Sequence, residues 1–194
     1  NAPHFPFTPG FETSGVILEV GSRVENLEVG DRVIAMTGNG GFSEEVIVPP
    51  ERIVNIPDSM SFDVAASIPV TYGTAYHMLV YLGNLSKNES VLIHHAAGGV
   101  GTAAAQICAS VGVSVMVGTA SSGKKDFVES LGMSFVDREK DDFVRVCKDL
   151  TDGFGVHHAI DPVGGKNIEK SYQSLRNGGK LHVFGASSAV KGER

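Results

Sequence analysis

The sequence predicts an α/β fold in which a doubly wound parallel sheet follows a smaller β-rich domain. Three observations lead there. From residue 91 onward strand-like and helix-like runs alternate one for one, and a glycine-rich turn, AAGGVG at 96–101, joins the first such strand to the first such helix. Before residue 50 the chain carries only short β-like runs separated by glycine turns.

Those early runs are GVILEVG, DRVIAM and EEVIV, with turn signals at Gly21-Ser22, Gly30-Asp31 and GNGG between them. From Ser61 the texture changes: SFDVAASIPVTYGTAYHMLVYLG is rich in alanine and helix-spaced apolar residues, and Pro69 is expected to interrupt it. A boundary near residue 70 follows, giving a β domain over 1–70 and a dinucleotide-binding domain over 71–194. VLIHH then reads as a buried strand. After Gly99, Val100, Ala103, Ala104, Ile107, Cys108 and Val111 fall on one helical face. SVMVG, MSFVD, VHHAID and KLHVFG are the next strands; KKDFVESLG, DDFVRVCKDL and KNIEKSYQSL are the helices between them. Parallel neighbours need crossover connections, which these helices supply.

Composition narrows the function classes. The 194 residues carry 16 Lys+Arg against 22 Asp+Glu, a net charge of −6, and no basic run exceeds Lys124-Lys125, which argues against a nucleic-acid partner. No apolar run reaches the roughly 18 residues that span a bilayer. Cys108 and Cys147 are far apart and outside any C-x-x-C pair, so neither a disulfide framework nor a cysteine-built zinc site is expected, and a reducing, cytoplasmic setting fits. The chain opens NAPHFPFTPG and stops at KGER just after a strand-like run, which reads as an excerpt of a longer protein.

AAGGVG differs from the G-x-G-x-x-G fingerprint by Ala96 at the first glycine position, which requires a slightly wider turn; Gly98 and Gly101 occupy the other two. Gly98 can let a pyrophosphate approach the backbone, Gly101 lets helix and strand pack closely, and the helix start offers free N–H groups. A ligand-free tight turn is the plainer alternative. Dinucleotide sites for NAD usually place an acidic residue about 20 positions further on. Residues 101–125 contain no Asp or Glu, and the second strand ends in Thr119, Ser121 and Ser122 followed by Lys124 and Lys125. Hydroxyls and positive charge there suit a 2′-phosphate, hence NADPH. A solvated helix start capped by serine is the alternative.

VGSRVENLEVGDRV, AAGGVGTAAAQ, DPVGG and FGASS occur in the order seen in the medium-chain dehydrogenase/reductase superfamily. The chain resembles its zinc-free, zeta-crystallin-type quinone oxidoreductases from about Thr8 to Lys191. PGFETSG, GNL, HHAAGGVG and GTASSGK are most similar to the synaptic-vesicle-protein branch. The resemblance implies a partial GroES-like β domain followed by a Rossmann domain, with the first strands of one and the closing segment of the other absent. Zinc-dependent relatives carry G-H-E where this sequence has Gly10-Phe11-Glu12, and the four-cysteine lobe is missing, so no metal is expected. His94-His95 and His157-His158 are adjacent pairs, and His4, His77 and His182 stand alone; all read as structural or exposed.

Carried over from the family, Thr74 matches the threonine near the nicotinamide ribose, with Tyr72 beside it, and these two are the candidate catalytic residues. Gly98, Gly99, Val100 and Gly101 match the pyrophosphate turn. Ser121 and Lys124 match the 2′-phosphate contacts, while Asp161, Gly164 and Gly185 match backbone turns along the coenzyme groove. Helix packing by Tyr72 and Tyr76, and a simple strand stop at Asp161-Pro162, are the structural alternatives. The resemblance implies hydride transfer from NADPH to a quinone or α,β-unsaturated carbonyl, chemistry that needs no protein nucleophile and fits the lack of a Ser-His-Asp or Cys-His arrangement. Enoyl-thioester reduction is a second enzymatic reading. A coenzyme-binding, peripherally membrane-associated or lipid-handling protein with little turnover is the rival from another class. A homodimer is expected for the intact protein.

Overall fold

β1 (Glu12–Val16), β2 (Arg32–Met36) and β3 (Ile53–Asn55) form an antiparallel sheet in the order β1-β2-β3, with Gly15 opposite Val33 and Ala35 opposite Ile53. This computed structural model describes residues 5–190, so His4 lies outside the described residues. The chain divides into two units, 1–73 and 74–194.

In the first unit the strand expected at GVILEVG starts earlier and ends at Val16, because pairing with β2 sets its register. EEVIV is not a strand: it finds no ladder partner, and Ile47 is fully exposed. α1 (Phe62–Ala66) stops at Ser67, and α2 (Ile68–Tyr76) begins with Pro69 in its first turn, where a missing N–H costs nothing. Glu12 Oε2 accepts the Val70 N–H at 2.8 Å, so a carboxylate 58 residues upstream serves the first turn of α2. Arg32 lays its guanidinium over Phe62, 4.1 Å from the ring centroid, and Ser14 Oγ donates to Phe62 O at 2.6 Å. These contacts hold α1 to the sheet.

The second unit is a five-stranded, wholly parallel sheet in the order β6-β5-β4-β7-β8, built from β4 (Ser90–Ile93), β5 (Val115–Ala120), β6 (Ser134–Asp137), β7 (Val156–Asp161) and β8 (Leu175–Val183). α3 (Gly99–Val111), α4 (Lys125–Ser130), α5 (Phe143–Asp149) and α6 (Lys166–Gln173) are the crossovers, and a π-helical turn over His77–Leu82 precedes β4. Each lies where the apolar spacing places it. Gly132, with φ +80, follows α4 and closes it. Leu92, Val117, Val136, Phe143, Cys147, Val156 and Ala159 form the core between strands and helices. β8 starts five residues before KLHVFG, because its register to β7 jumps from Val156↔Leu175 to His158↔Lys180 and 176–179 bulge out. α7 (Ser187–Val190) ends the described chain. Among the described residues no helix is long and apolar enough to cross a membrane.

Candidate functional site

In a parallel sheet whose strand order reverses, ligands bind beyond the carboxyl ends of the strands at the reversal. Here that point lies between β4 and β7, since β5 and β6 lie to one side of β4 and β7 and β8 to the other. The candidate groove is therefore made of the loops that follow β4, β5, β7 and β8.

The loop after β4 turns at His95, φ +51, and reaches Gly98, whose N–H donates to His95 O at 2.8 Å. Ala96 at the first fingerprint position is fully buried. Its methyl group fits because β5 carries Gly118 opposite: a Cβ at Gly118 would stand 2.9 Å from Ala96 Cβ and 2.8 Å from Val128 Cγ1. A glycine in the neighbouring strand thus makes room for the Ala96 methyl group. Gly101 is required by close approach, because a Cβ there would meet His95 O at 2.5 Å and Ala96 O at 2.7 Å. Gly98 and Gly99 are exposed and Val100 half-buried. No side chain caps α3, and the N–H groups of Gly99, Val100 and Gly101 make no backbone hydrogen bond. A 13-residue helix therefore presents its positive end bare at the reversal point.

Beyond β5, Ser121 is half-buried and makes no side-chain cap, so the capping alternative does not describe it. Lys124 is exposed and, among the described residues, unpaired, whereas Lys125 reaches Glu129 at 3.9 Å. The carboxylate missing from 101–125 arrives from elsewhere. Asp137, at the end of β6, accepts from Ser122 Oγ at 2.5 Å and from the Glu139 N–H at 3.0 Å, with Lys140 Nζ 3.6 Å away. Those donors, Ser122 first, hold its carboxyl below the usual range. Ser122 is therefore already engaged.

Beyond β7, Asp161 is fully buried and its carboxylate is saturated: Oδ1 accepts the N–H groups of Val163 (2.7 Å) and Gly164 (3.1 Å), and Oδ2 accepts from Asn167 Nδ2 (2.9 Å) and Ser171 Oγ (2.8 Å). It shapes the loop and offers no free lone pair cheaply. Gly185 packs over that loop, since a Cβ there would meet Pro162 O at 2.7 Å; Gly164, φ +72, faces Gly185 O and Ala186.

From sequence His94 reads only as structural or exposed; the structure makes it a relay between strand ends. Ser171 Oγ gives its proton to Asp161, so it accepts from His94 Nε2 at 2.9 Å, which leaves Nδ1 to accept from Thr119 Oγ1 at 2.9 Å. Burial pushes the His94 imidazole down to about 4, against the pull of Asp161, so it is neutral at pH 7. Thr119, His94, Ser171 and Asp161 thereby tie β5, β4, α6 and β7 beneath the groove.

Tyr72 and Thr74 are both half-buried in α2, outside these loops. Residues two apart on a helix diverge by about 200°, so the two side chains do not share a face. Phe11, where zinc-dependent relatives have histidine, is exposed, and Glu12 is occupied by α2. Burial pushes the thiols of Cys108 and Cys147 up to about 12, which keeps them protonated. Among the described residues no group of three or more His, Cys, Asp or Glu side chains is placed to hold a metal ion. His182 does not stand alone in space: it stacks on His158 at 5.6 Å.

Comparison with known proteins places this geometry. Residues 1–58 match the alcohol dehydrogenase GroES-like domain family and residues 99–193 the zinc-binding dehydrogenase family. The chain is 39% identical over 193 residues to the zebrafish (Danio rerio) synaptic vesicle membrane protein VAT-1 homolog, covering 99% of this chain and 40% of that relative. Among solved structures, it superposes on the quinone oxidoreductase of Pseudomonas syringae pv. Tomato DC3000 with a TM-score of 0.89 at 33% identity, covering 97% of this chain and 58% of that one. The Escherichia coli quinone oxidoreductase complexed with NADPH gives a TM-score of 0.89 at 29% identity, with 97% and 58% covered. The chain thus spans about half the length of the proteins it matches. Sequence, fold and groove together show that this chain belongs to the medium-chain dehydrogenase/reductase superfamily, alongside its quinone oxidoreductase-like and VAT-1 homologue members.

Proposed function

We propose that the protein is an NADPH-dependent, zinc-independent oxidoreductase that reduces a quinone or an α,β-unsaturated carbonyl. The observation that carries this reading is the bare start of α3 at the strand-order reversal, where among the described residues three N–H groups beside an exposed Gly98 have no backbone partner and no side-chain cap. These residues fit a dinucleotide: Gly98 to Gly101 would hold the pyrophosphate, and Lys124 and Ser121 the 2′-phosphate. The bound coenzyme would supply the hydride. The chain's share is placement, with Thr74 near the nicotinamide ribose and the His94 relay keeping the loops after β4, β5 and β7 in register. Phe11 in place of a ligand histidine, and two protonated buried thiols, support a reaction that proceeds without zinc.

NADPH is favoured over NADH because Lys124 is unpaired among the described residues, while the carboxylate that reaches the Ser122 turn, Asp137, is paired with Lys140 and accepts from Ser122. Replacing Lys124 with alanine is expected to weaken NADPH by about one to two orders of magnitude and leave NADH nearly unchanged. Parallel titrations with both coenzymes test this; an equal loss for both would refute the 2′-phosphate assignment. The identity to a vesicle membrane protein favours a second reading, a coenzyme-binding, membrane-associated protein with little turnover. Turnover of 1,2-naphthoquinone or an enone with NADPH supports the first; liposome binding without turnover supports the second.

A further inference from the structure

At the opposite edge of the same sheet, before the strands begin, the bulge of β8 leaves a cavity of about 220 Å³ whose lining includes Asn84, His157, Arg176, Asn177 and Lys180. The coenzyme reading makes no use of it. We propose that this cavity is a second ligand site, taking a phosphate group between Arg176, Lys180 and His157.

Both cations rest on uncharged acceptors. Arg176 Nη1 donates to His157 Nε2 at 2.7 Å, and Lys180 Nζ donates to the carbonyl of Gly83. Neither forms an ion pair among the described residues, although the chain has more carboxylates than cations. A neutral ring nitrogen and a backbone carbonyl are weak acceptors for full charges, and an oxyanion would satisfy both better. Donors approach both nitrogens of the His157 ring: Arg176 Nη1 at Nε2, and the Ser90 N–H at Nδ1, 3.1 Å away, with Ser90 Oγ also 2.8 Å from Nδ1. A neutral imidazole accepts at only one of them, so the Arg176 contact competes with the Ser90 contact. Burial and the charge of Arg176 lower the His157 pKa, with Glu89 opposing. An anion that drew Arg176 away would free Nε2 to take a proton and become a third donor.

The one carboxylate in the lining, Glu89, offsets only one of the two cations. Glu89 Oε2 already accepts from the Ser86 N–H at 2.8 Å and from His158 Nε2 at 3.0 Å. His158 Nδ1 lies 3.3 Å from His182 Nε2, and burial lowers the pKa of both rings. Two cations without an ion pair among the described residues thus line a cavity that holds a single acid, which leaves a net positive charge there. The space suits a tetrahedral oxyanion with several waters, each of about 30 Å³.

The test is a titration of the isotopically labelled intact protein with inorganic phosphate, following histidine ring and backbone amide signals by NMR. Saturable shifts of the His157 ring are expected, with affinity reduced about ten-fold or more in Arg176→Gln and in Lys180→Met. Both replaced side chains are exposed, and an unchanged melting temperature verifies that each variant folds. The proposal is overturned if His157 does not move, if both variants bind as tightly as the parent, or if only the amides of Gly98 to Gly101 shift. That last pattern would mean that phosphate occupies the coenzyme turn alone.

Discussion

The two units of this chain bury their apolar residues to very different extents. In residues 5–73 only Val33, Ala35 and Ala65 are buried apolar side chains, while Phe11, Phe42 and Ile47 are largely exposed. In 74–190, Leu92, Ile93, Val117, Val136 and Ile160 are wholly inside a sheet covered by helices. The two parts are carried by different interactions. The β unit is held by ladder hydrogen bonds, the Glu12 cap on α2 and the Arg32–Phe62 contact, whereas the α/β unit is held by apolar burial that a parallel sheet requires on both faces.

The largest expected effect breaks this contrast at its centre. Leu92→Ala should cost about 2–5 kcal/mol, because the packed surroundings cannot close the cavity, and Ile47→Ala should change stability by no more than about 0.5 kcal/mol. Chemical denaturation of both variants checks it; comparable losses would show that the exposed run at 44–47 is buried in solution.

A second effect separates the units by pH. Histidines occur in the described chain only from His77 onward. His94 and His182 are both pulled down to about 4, His94 mainly by burial and His182 by burial and then His158 and Lys180. Both are neutral in the native state and ordinary in the unfolded chain, so unfolding takes up protons below about pH 6.5. Stability should be full above that pH and fall as pH drops toward 4, by on the order of 2–3 kcal/mol for His94. Hydrogen exchange at pH 7.5 and 5.5 should show protection lost in β4, β5 and β7, once the intrinsic pH dependence of exchange is corrected. Equal protection at both values would contradict the neutral relay.

The smallest effect compares two helix starts inside the α/β unit. Asp142 caps α5 through Oδ1, which accepts the Val144 N–H at 3.0 Å, while α3 has no side-chain cap. Asp142→Ala should cost about 1 kcal/mol of stability and leave coenzyme affinity unchanged. A drop in affinity from that variant would mean that the groove depends on the far crossover helix.

Much of the α/β unit was legible because its signals are local. The 3.6-residue spacing of Val100, Ala103, Ala104, Ile107 and Cys108, and the turn at 96–101, lie within single elements, and the structure places α3 and its bare start there. The β unit was less legible. EEVIV has strand composition and no strand partner, and the strand at residue 12 is set by its pairing with β2 rather than by its own pattern. At the site, the run free of acids after Gly101 was visible, but the acid that does approach, Asp137, comes from the next strand over.

By itself the sequence determined the alternation of strands and helices, the glycine turn, the missing histidine at Phe11 and the cations after β5. Only the tertiary structure decided that Ala96 is housed by Gly118, that Asp161 is spent on its own loop, that His94 joins three strand ends, and that Arg176 rests on His157 above a cavity. The physical reason is range. Helix and strand periodicity reflect neighbours a few residues away, whereas these contacts depend on strand order and register, which bring together groups as far apart in sequence as 77 residues.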